Sequence, residues 1–263
     1  MYKEKKRPLW ANMLLSAAGI LVFIGVWELA VRIGLISPEK LVAPSEIIMT
    51  FFDKFHSTVP DGNTIDVHIF TSLKLVLASF IVSCVIGVPL GLFMGFFNLF
   101  NKFLTPIFEI VRPIPPLAWI PIVIVVLGTG FKAKLFIIFV AAFVPCVINS
   151  YTGIKATSTA LLNVAKTAGA NKAQLFFKVG IPSALPMVFT GIKVSFGSAW
   201  ATLVAAEMIA SSEGLGYMIQ QGRIASKPAI VLLGMLVIGL IGAVLTAVLS
   251  LLEQKAIPWR KVK

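Results

Sequence analysis

The stretch LLNVAKTAGANKAQLFFKVGIPSALP, residues 161–186, decides how the rest of the chain is read. It is polar and cationic, with Lys166, Lys172 and Lys178 and no acid, yet it lies between two long apolar segments. A segment of this kind leaves a bilayer on one side and returns into it. Gly169 falls where a first short helix should stop, because a residue without Cβ takes the left-handed conformation that closes a C-terminus. Asn171 is placed to cap a second helix that carries Leu175, Phe176 and Val179 on one face. Pro182 is expected to end that helix before the chain re-enters lipid. Such an amphipathic knob has two readings: a helix lying flat on the headgroups, or a docking element for a soluble partner.

Composition fixes the class. The chain has 263 residues, 58% hydrophobic and 13% charged, with a mean hydropathy of +0.94; ordinary soluble domains have an apolar share of about 45–50%. We therefore expect an all-α polytopic membrane protein, one domain over residues 1–263 with its core at about 70–252 and an inner loop at about 155–182. The formal charge of +12 is explained by basic residues flanking spans, without nucleic acid. Cys84 and Cys146 lie in apolar segments and are expected as buried thiols outside any disulfide or metal site. His56 and His68 stand without the partners a metal site needs.

Outward from the hairpin, the pattern predicts about six transmembrane helices. The basic tail MYKEKKRPLW precedes a first span near 13–33, which is too long for a signal-peptide core. Residues 34–66 form an outer segment with one short helix started by Pro44 and Ser45. The second span, near 70–97, carries Gly87, Gly91 and Gly95 at four-residue spacing, a stripe that lets another backbone approach closely; packing within one subunit is favoured over a subunit interface. Pro89 should bend it. A turn at 98–102 follows. The next segment, FLTPIFEIVRPIPPLAWIPIVIVVLG, holds five prolines and cannot be one straight helix, so a broken span is implied. An outer turn at 131–134 leads to a fourth span at 135–151, bent at Pro145. The fifth begins near Ala184, an outer loop covers 211–228, and the sixth covers about 229–252, with Trp259 suited to the interface. The inner segments so assigned carry 13 Lys and Arg and the outer ones 8, which places both termini and the hairpin inside.

Four charges within apolar segments, Glu109, Arg112, Lys193 and Glu207, are candidates for function. Glu109 and Arg112, three residues apart, can pair on one helix face. Lys193 and Glu207 are about 21 Å apart along one helix and cannot pair with each other. Pairing or snorkelling is favoured for Lys193, and a hydrogen-bonded brace for Glu207, whose charge would repel an anionic substrate.

The hairpin resembles the cytoplasmic EAA loop of ABC importer permeases, E-A-A-x3-G-x9-I-x-L-P. Asn163, Val164 and Ala165 take the first three places, Gly169 the glycine, Val179 the isoleucine, Ile181 the leucine and Pro182 the proline. Asn163 and Val164 depart from the pattern, and the first departure removes a charge. RPIPPLAWIP, with Pro115, Pro116 and Trp119, is similar to the matching segment of the taurine, aliphatic sulfonate, nitrate and bicarbonate class, as are Ala205–Met208 and Gly214–Tyr217. The resemblance covers most of residues 44–217. It implies the permease subunit of a type I, binding-protein-dependent importer in a bacterial inner membrane, with Asn163, Val164, Ala165, Gly169, Ala170 and Pro182 coupling to the ATPase. It also implies a second permease subunit in a homodimer, two ATP-binding subunits and an extracytoplasmic solute-binding protein. Candidates for the translocation path or gate are Glu109, Arg112, Pro115, Pro116, Trp119, Lys193 and Glu207. The implied substrate is a small anion, the alternative being a vitamin or pyrimidine precursor.

The chain has no G-x-x-x-x-G-K-[ST] loop, so ATP and Mg are expected at the partner, with no cofactor and no metal here. Two rival classes are a secondary carrier or channel, against which the halves show no clear inverted repeat, and a membrane enzyme, for which no catalytic set is clustered.

Overall fold

The computed structural model describes residues 9–37 and 39–258, with side chains from Leu14 onward. The tail at 1–8 and Trp259 lie outside the described residues. In order the helices are α1 (Leu9–Arg32), α2 (Pro44–Asp53), α3 (Ile65–Phe96), α4 (Asn98–Val111), a 3-10 turn (Pro116–Trp119), α5 (Ile120–Leu127), α6 (Phe131–Lys155), α7 (Thr159–Thr167), α8 (Lys172–Gln174), a π-helical turn (Leu175–Gly180), α9 (Ile181–Ala210), α10 (Leu215–Ile224) and α11 (Pro228–Ala256). The described residues hold no strand. Five of the described helices are long and apolar enough to cross a membrane, and the pair Asn98–Val111 and Pro116–Leu127, bent by 82°, brings the number to six if the pair is one span. The fold is thus all-α and polytopic, with the proline-rich span broken as its composition requires. Leu21, Phe23 and Val26 on α1 are exposed, as on a helix whose solvent is acyl chains.

Several boundaries differ from the sequence reading, each for a local reason. Residues 98–102 are not a turn: the break is confined to Phe97, whose backbone is extended at φ −102° and ψ 116°, and α4 starts at Asn98. Residues 131–134 are the first turn of α6, entered from an extended Gly130. Lys134 there is buried and donates to Ser211 Oγ at 2.8 Å. The loop at 211–228 contains α10, because Leu215, Met218 and Ile219 recur on one buried face that its Gly, Ser and Gln content masks.

The described residues gather into two compact units. The first comprises those within Met1–Ile65 together with Met218–Leu236. In it Glu28 of α1 accepts from Arg32 Nε at 2.6 Å and from Ser45 N and Oγ at 3.1 and 2.8 Å, which ties α1 to the start of α2. Lys54 is 2% exposed, its ammonium 2.5 Å from Asp61 Oδ1 and 2.8 Å from the Asn63 carbonyl. Lys54 and Asp61, within the expected outer segment at 34–66, are therefore a buried, hydrogen-bonded pair.

The second unit comprises Asp66–Tyr217 and Val237–Lys263. Its core is α3, α6 and α9, packed through Leu75, Val76, Ile138, Ala142, Ala199, Leu203 and Ala206. The glycine stripe of α3 lies on α6. A Cβ at Gly87 would stand 2.9 Å from Cys146 Cβ, and one at Gly91 2.8 Å from Ser150 Cβ. The stripe therefore packs within one subunit. We expect Gly91→Val to sharply reduce the yield of monodisperse protein in detergent, since overpacking a close contact costs about 1–3 kcal/mol or more. Gly19→Val on α1, with nothing within 4 Å of its Cβ, is the control; equal yields would show that α3 and α6 do not need this approach.

Candidate functional site

The hairpin forms as two short helices joined at a glycine. Gly169 sits at φ +82°, and its N–H donates to the Lys166 carbonyl at 2.9 Å while Ala170 N reaches the Ala165 carbonyl at 3.0 Å. The left-handed residue thus closes α7. Asn171 opens α8 through a reciprocal box: Gln174 N donates to Asn171 Oδ1 at 2.8 Å, and Asn171 N to Gln174 Oε1 at 2.9 Å.

Pro182 does not end the second helix. The chain runs from Lys172 to Ala210 as one helical rod. Proline has no N–H to donate and its ring collides with the carbonyl four residues earlier. The rod accommodates it by widening to a π turn over Leu175–Gly180, where Ile181 N donates to the Phe176 carbonyl five residues back. Pro182 then occupies the first turn of α9, where no donor is required.

The two faces of the hairpin differ. Leu175, Phe176 and Gly180 are buried and Val179 is half-buried. Phe176 packs with Leu92, Ile154, Ala184 and Val188. Leu175 and Phe176 of the second helix thus face the protein, while Phe177 is 62% exposed. In α7 no residue is buried. Asn163 is exposed, Ala165 half-buried, Leu161 54% exposed and Val164 69% exposed. This presents a short helix with bare apolar positions, fixed to the core by the ring-lined helix behind it.

The intramembrane charges fall into three settings. Glu109 and Arg112 are exposed and line one cavity of about 220 Å³ with Thr105, Val147, Tyr151 and Thr152. Among the described residues no ion pair joins them, so the pairing allowed by their spacing is not made. Pro115 and Pro116 form the bend, and Trp119 ends the 3-10 turn against Phe136. Lys193 is ion-paired with Glu253 of α11, a partner that spacing along α9 could not reveal. Glu207 is fully buried. It accepts from Ser72 Oγ at 2.7 and 2.9 Å and from Gly216 N at 2.9 Å. Ser72 Oγ in turn accepts from Leu215 N at 2.8 Å, and His68 Nδ1 from Gly214 N at 3.0 Å. Gly214, at φ +113°, would drive a Cβ into the Glu207 carboxylate, 2.7 Å from Oε2. The carboxylate latches the start of α10 to α3.

Two features were not legible. Cys84 is half-buried, and its Sγ stands 3.7 Å from Cys146 Sγ, both thiols free. Phe93, Phe96 and Phe97 surround Phe176. Phe176 lies about 80 residues beyond these three rings, too far along the chain for spacing to join them.

Five long apolar helices, with the bent pair between the second and third of them and a hairpin before the fourth, make a multi-pass membrane fold. The chain belongs to the family described as "binding-protein-dependent transport system inner membrane component", whose model matches residues 87–258, and is thereby an ABC importer permease. A putative ABC transporter permease of Methanocaldococcus jannaschii is 38% identical over 238 residues, 90% of this chain and 88% of that protein. The taurine transport system permease TauC of Escherichia coli is 32% identical over 256 residues, 96% and 92% of the two chains. The nitrate import permease NrtB of Synechocystis is 30% identical over 268 residues, 97% and 95%. Among solved structures, the inward-facing MetNI methionine ABC transporter has a chain that superposes with a TM-score of 0.55 at 20% identity, over 68% of this chain and 93% of its own, a likeness of fold.

Proposed function

We propose that this permease couples a translocation path to ATP hydrolysis in a separate subunit by seating α7 on that subunit. The observation that carries the reading is a helix with no buried residue and bare Leu161 and Val164, mounted on a second helix that buries Leu175 and Phe176 in the core. An interfacial helix would turn apolar side chains from both toward lipid. Coupling residues are Asn163, Val164, Ala165, Gly169, Ala170 and Pro182, the last through the π turn it requires. The functional unit is two such permeases, in a homodimer, with two ATP-binding subunits that use ATP and Mg and one extracytoplasmic binding protein. The termini and hairpin face the cytoplasm, in keeping with the excess of Lys and Arg on that side.

Gly169→Val tests the lever. No atom stands within 4 Å of a Cβ there, so the only cost is a β-branched residue at positive φ, of order 1–2 kcal/mol. The variant should insert and assemble, and ATP hydrolysis should continue with uptake much reduced. Unchanged coupled uptake would count against the role.

For substrate we propose a small anion such as a sulfonate, nitrate or bicarbonate, supported by the names of the relatives and by a guanidinium that lines a cavity. Of the charged path candidates, Glu109 and Arg112 reach this cavity, whereas Lys193 and Glu207 are engaged within the fold. Arg112→Gln should lower the initial rate of uptake of the anion that the binding protein carries while leaving assembly with the ATPase intact. A normal rate would remove Arg112 from the path.

A further inference from the structure

We propose that Phe176 is a positioning residue that ties the docking hairpin to the α3–α4 junction at the head of the bent helix pair; this rests on the reading of α7 as the ATPase seat. The π turn brings the Phe176 ring, 3% exposed, among three others. Its centroid lies 5.2 Å from Phe93, 5.0 Å from Phe96 and 5.4 Å from Phe97. Phe97 is the one extended residue between α3 and α4. It also stacks on Phe93 at 5.8 Å and meets Phe100 of α4 at 6.3 Å. The residue that joins α3 to α4, one helix ahead of the 82° bend between Asn98–Val111 and Pro116–Leu127, is therefore held between its own helices and a ring delivered by the hairpin.

Rings in such a stack interlock and move as a body, because close-packed interiors transmit displacement instead of absorbing it. A push on α7 reaches Phe176 through the closed turn at Gly169 and the capping box at Asn171. From Phe176 it passes to Phe97, and so to α4 and the bend at Pro113–Pro116. π turns are frequent at functional sites; this one sets the register that aims Phe176 at Phe97. Lengthening the hairpin helix into α9 without it would rotate the ring away from Phe97.

The test uses the whole transporter, with its ATPase and binding protein, in lipid nanodiscs. In a Cys84→Ala, Cys146→Ala background, spin labels at Lys166→Cys on α7 and Lys102→Cys on α4, both exposed positions, report the distance between the hairpin and α4. The expected distance is narrow and unchanged by ATP, because the two move together. Phe176→Leu, and separately Phe97→Leu, should retain the ATPase yet broaden this distance and cut the binding-protein stimulation of hydrolysis by about 10-fold. The double variant should be no worse than either single one, since the two rings act as a unit. Phe103→Leu, an exposed ring on the same helix, should behave as the unchanged protein. A narrow distance and full stimulation in both single variants would overturn the proposal. So would a loss of stimulation that merely follows a loss of assembled complex, which would confine the rings to folding. The ATPase-docking reading is tested apart from this by whether Val164→Asp releases the ATPase.

Discussion

Glu207→Ala is expected to detach the start of α10 from α3 and α9 and to cost more stability than any other single change at this end of the fold. The carboxylate is fully buried and takes two donors, Ser72 Oγ and Gly216 N. Its removal leaves both without an acceptor, and each buried orphan costs about 1–3 kcal/mol. Ser72 loses its anchor at the same time, and with it the hydroxyl that accepts from Leu215 N. Faster tryptic cleavage at the exposed Arg223 of α10 and a lower melting temperature in detergent measure the effect. Glu207→Gln should be intermediate, because one amide oxygen remains to accept while the NH₂ group faces donors. If Glu207→Ala matches the unsubstituted protein in both assays, the carboxylate is not a brace and a substrate role returns.

Val164→Asp is the second large effect. Nothing packs on this position in the permease, so the fold should be unaffected: the side chain is 69% exposed on a helix without a buried residue. A docked ATPase would bury the new carboxylate without a partner, at a cost of roughly 3 kcal/mol or more, which is on the order of a 100-fold weaker complex. Copurification of the ATPase and ATP-driven uptake should both be lost while membrane insertion and melting are normal. Retained copurification would place the ATPase elsewhere on the molecule.

What the sequence revealed and what it hid divide along the range of the interaction. Local chemistry was legible: Gly169 closes α7, Asn171 caps α8, Pro44 starts α2, and the prolines from 113 to 121 break the third hydrophobic segment. Those features depend on residues within one or two turns. The glycine stripe at 87, 91 and 95 announced a close approach, though only the fold shows that α6 makes it. Pairs distant along the chain stayed hidden. Lys193 and Glu253, Ser72 and Glu207, and Phe176 with Phe97 are joined by topology, and one sequence carries no record of which helix faces which. Pro182 was misread for a different reason. A proline normally ends an α-helix, but one extra residue in the turn before it removes the conflict, and that residue is visible only in the backbone.

The central claim is that the bare face of α7 lies in the cytoplasm and seats a separate ATPase. It is tested most directly by a single cysteine at this face, Val164→Cys in the Cys84→Ala, Cys146→Ala background, probed with a membrane-impermeant thiol reagent. Labelling is expected in inside-out vesicles stripped of the ATPase, none in intact right-side-out cells, and protection when the ATPase is restored. Labelling from the outer side, or equal labelling with and without the ATPase, would contradict the account.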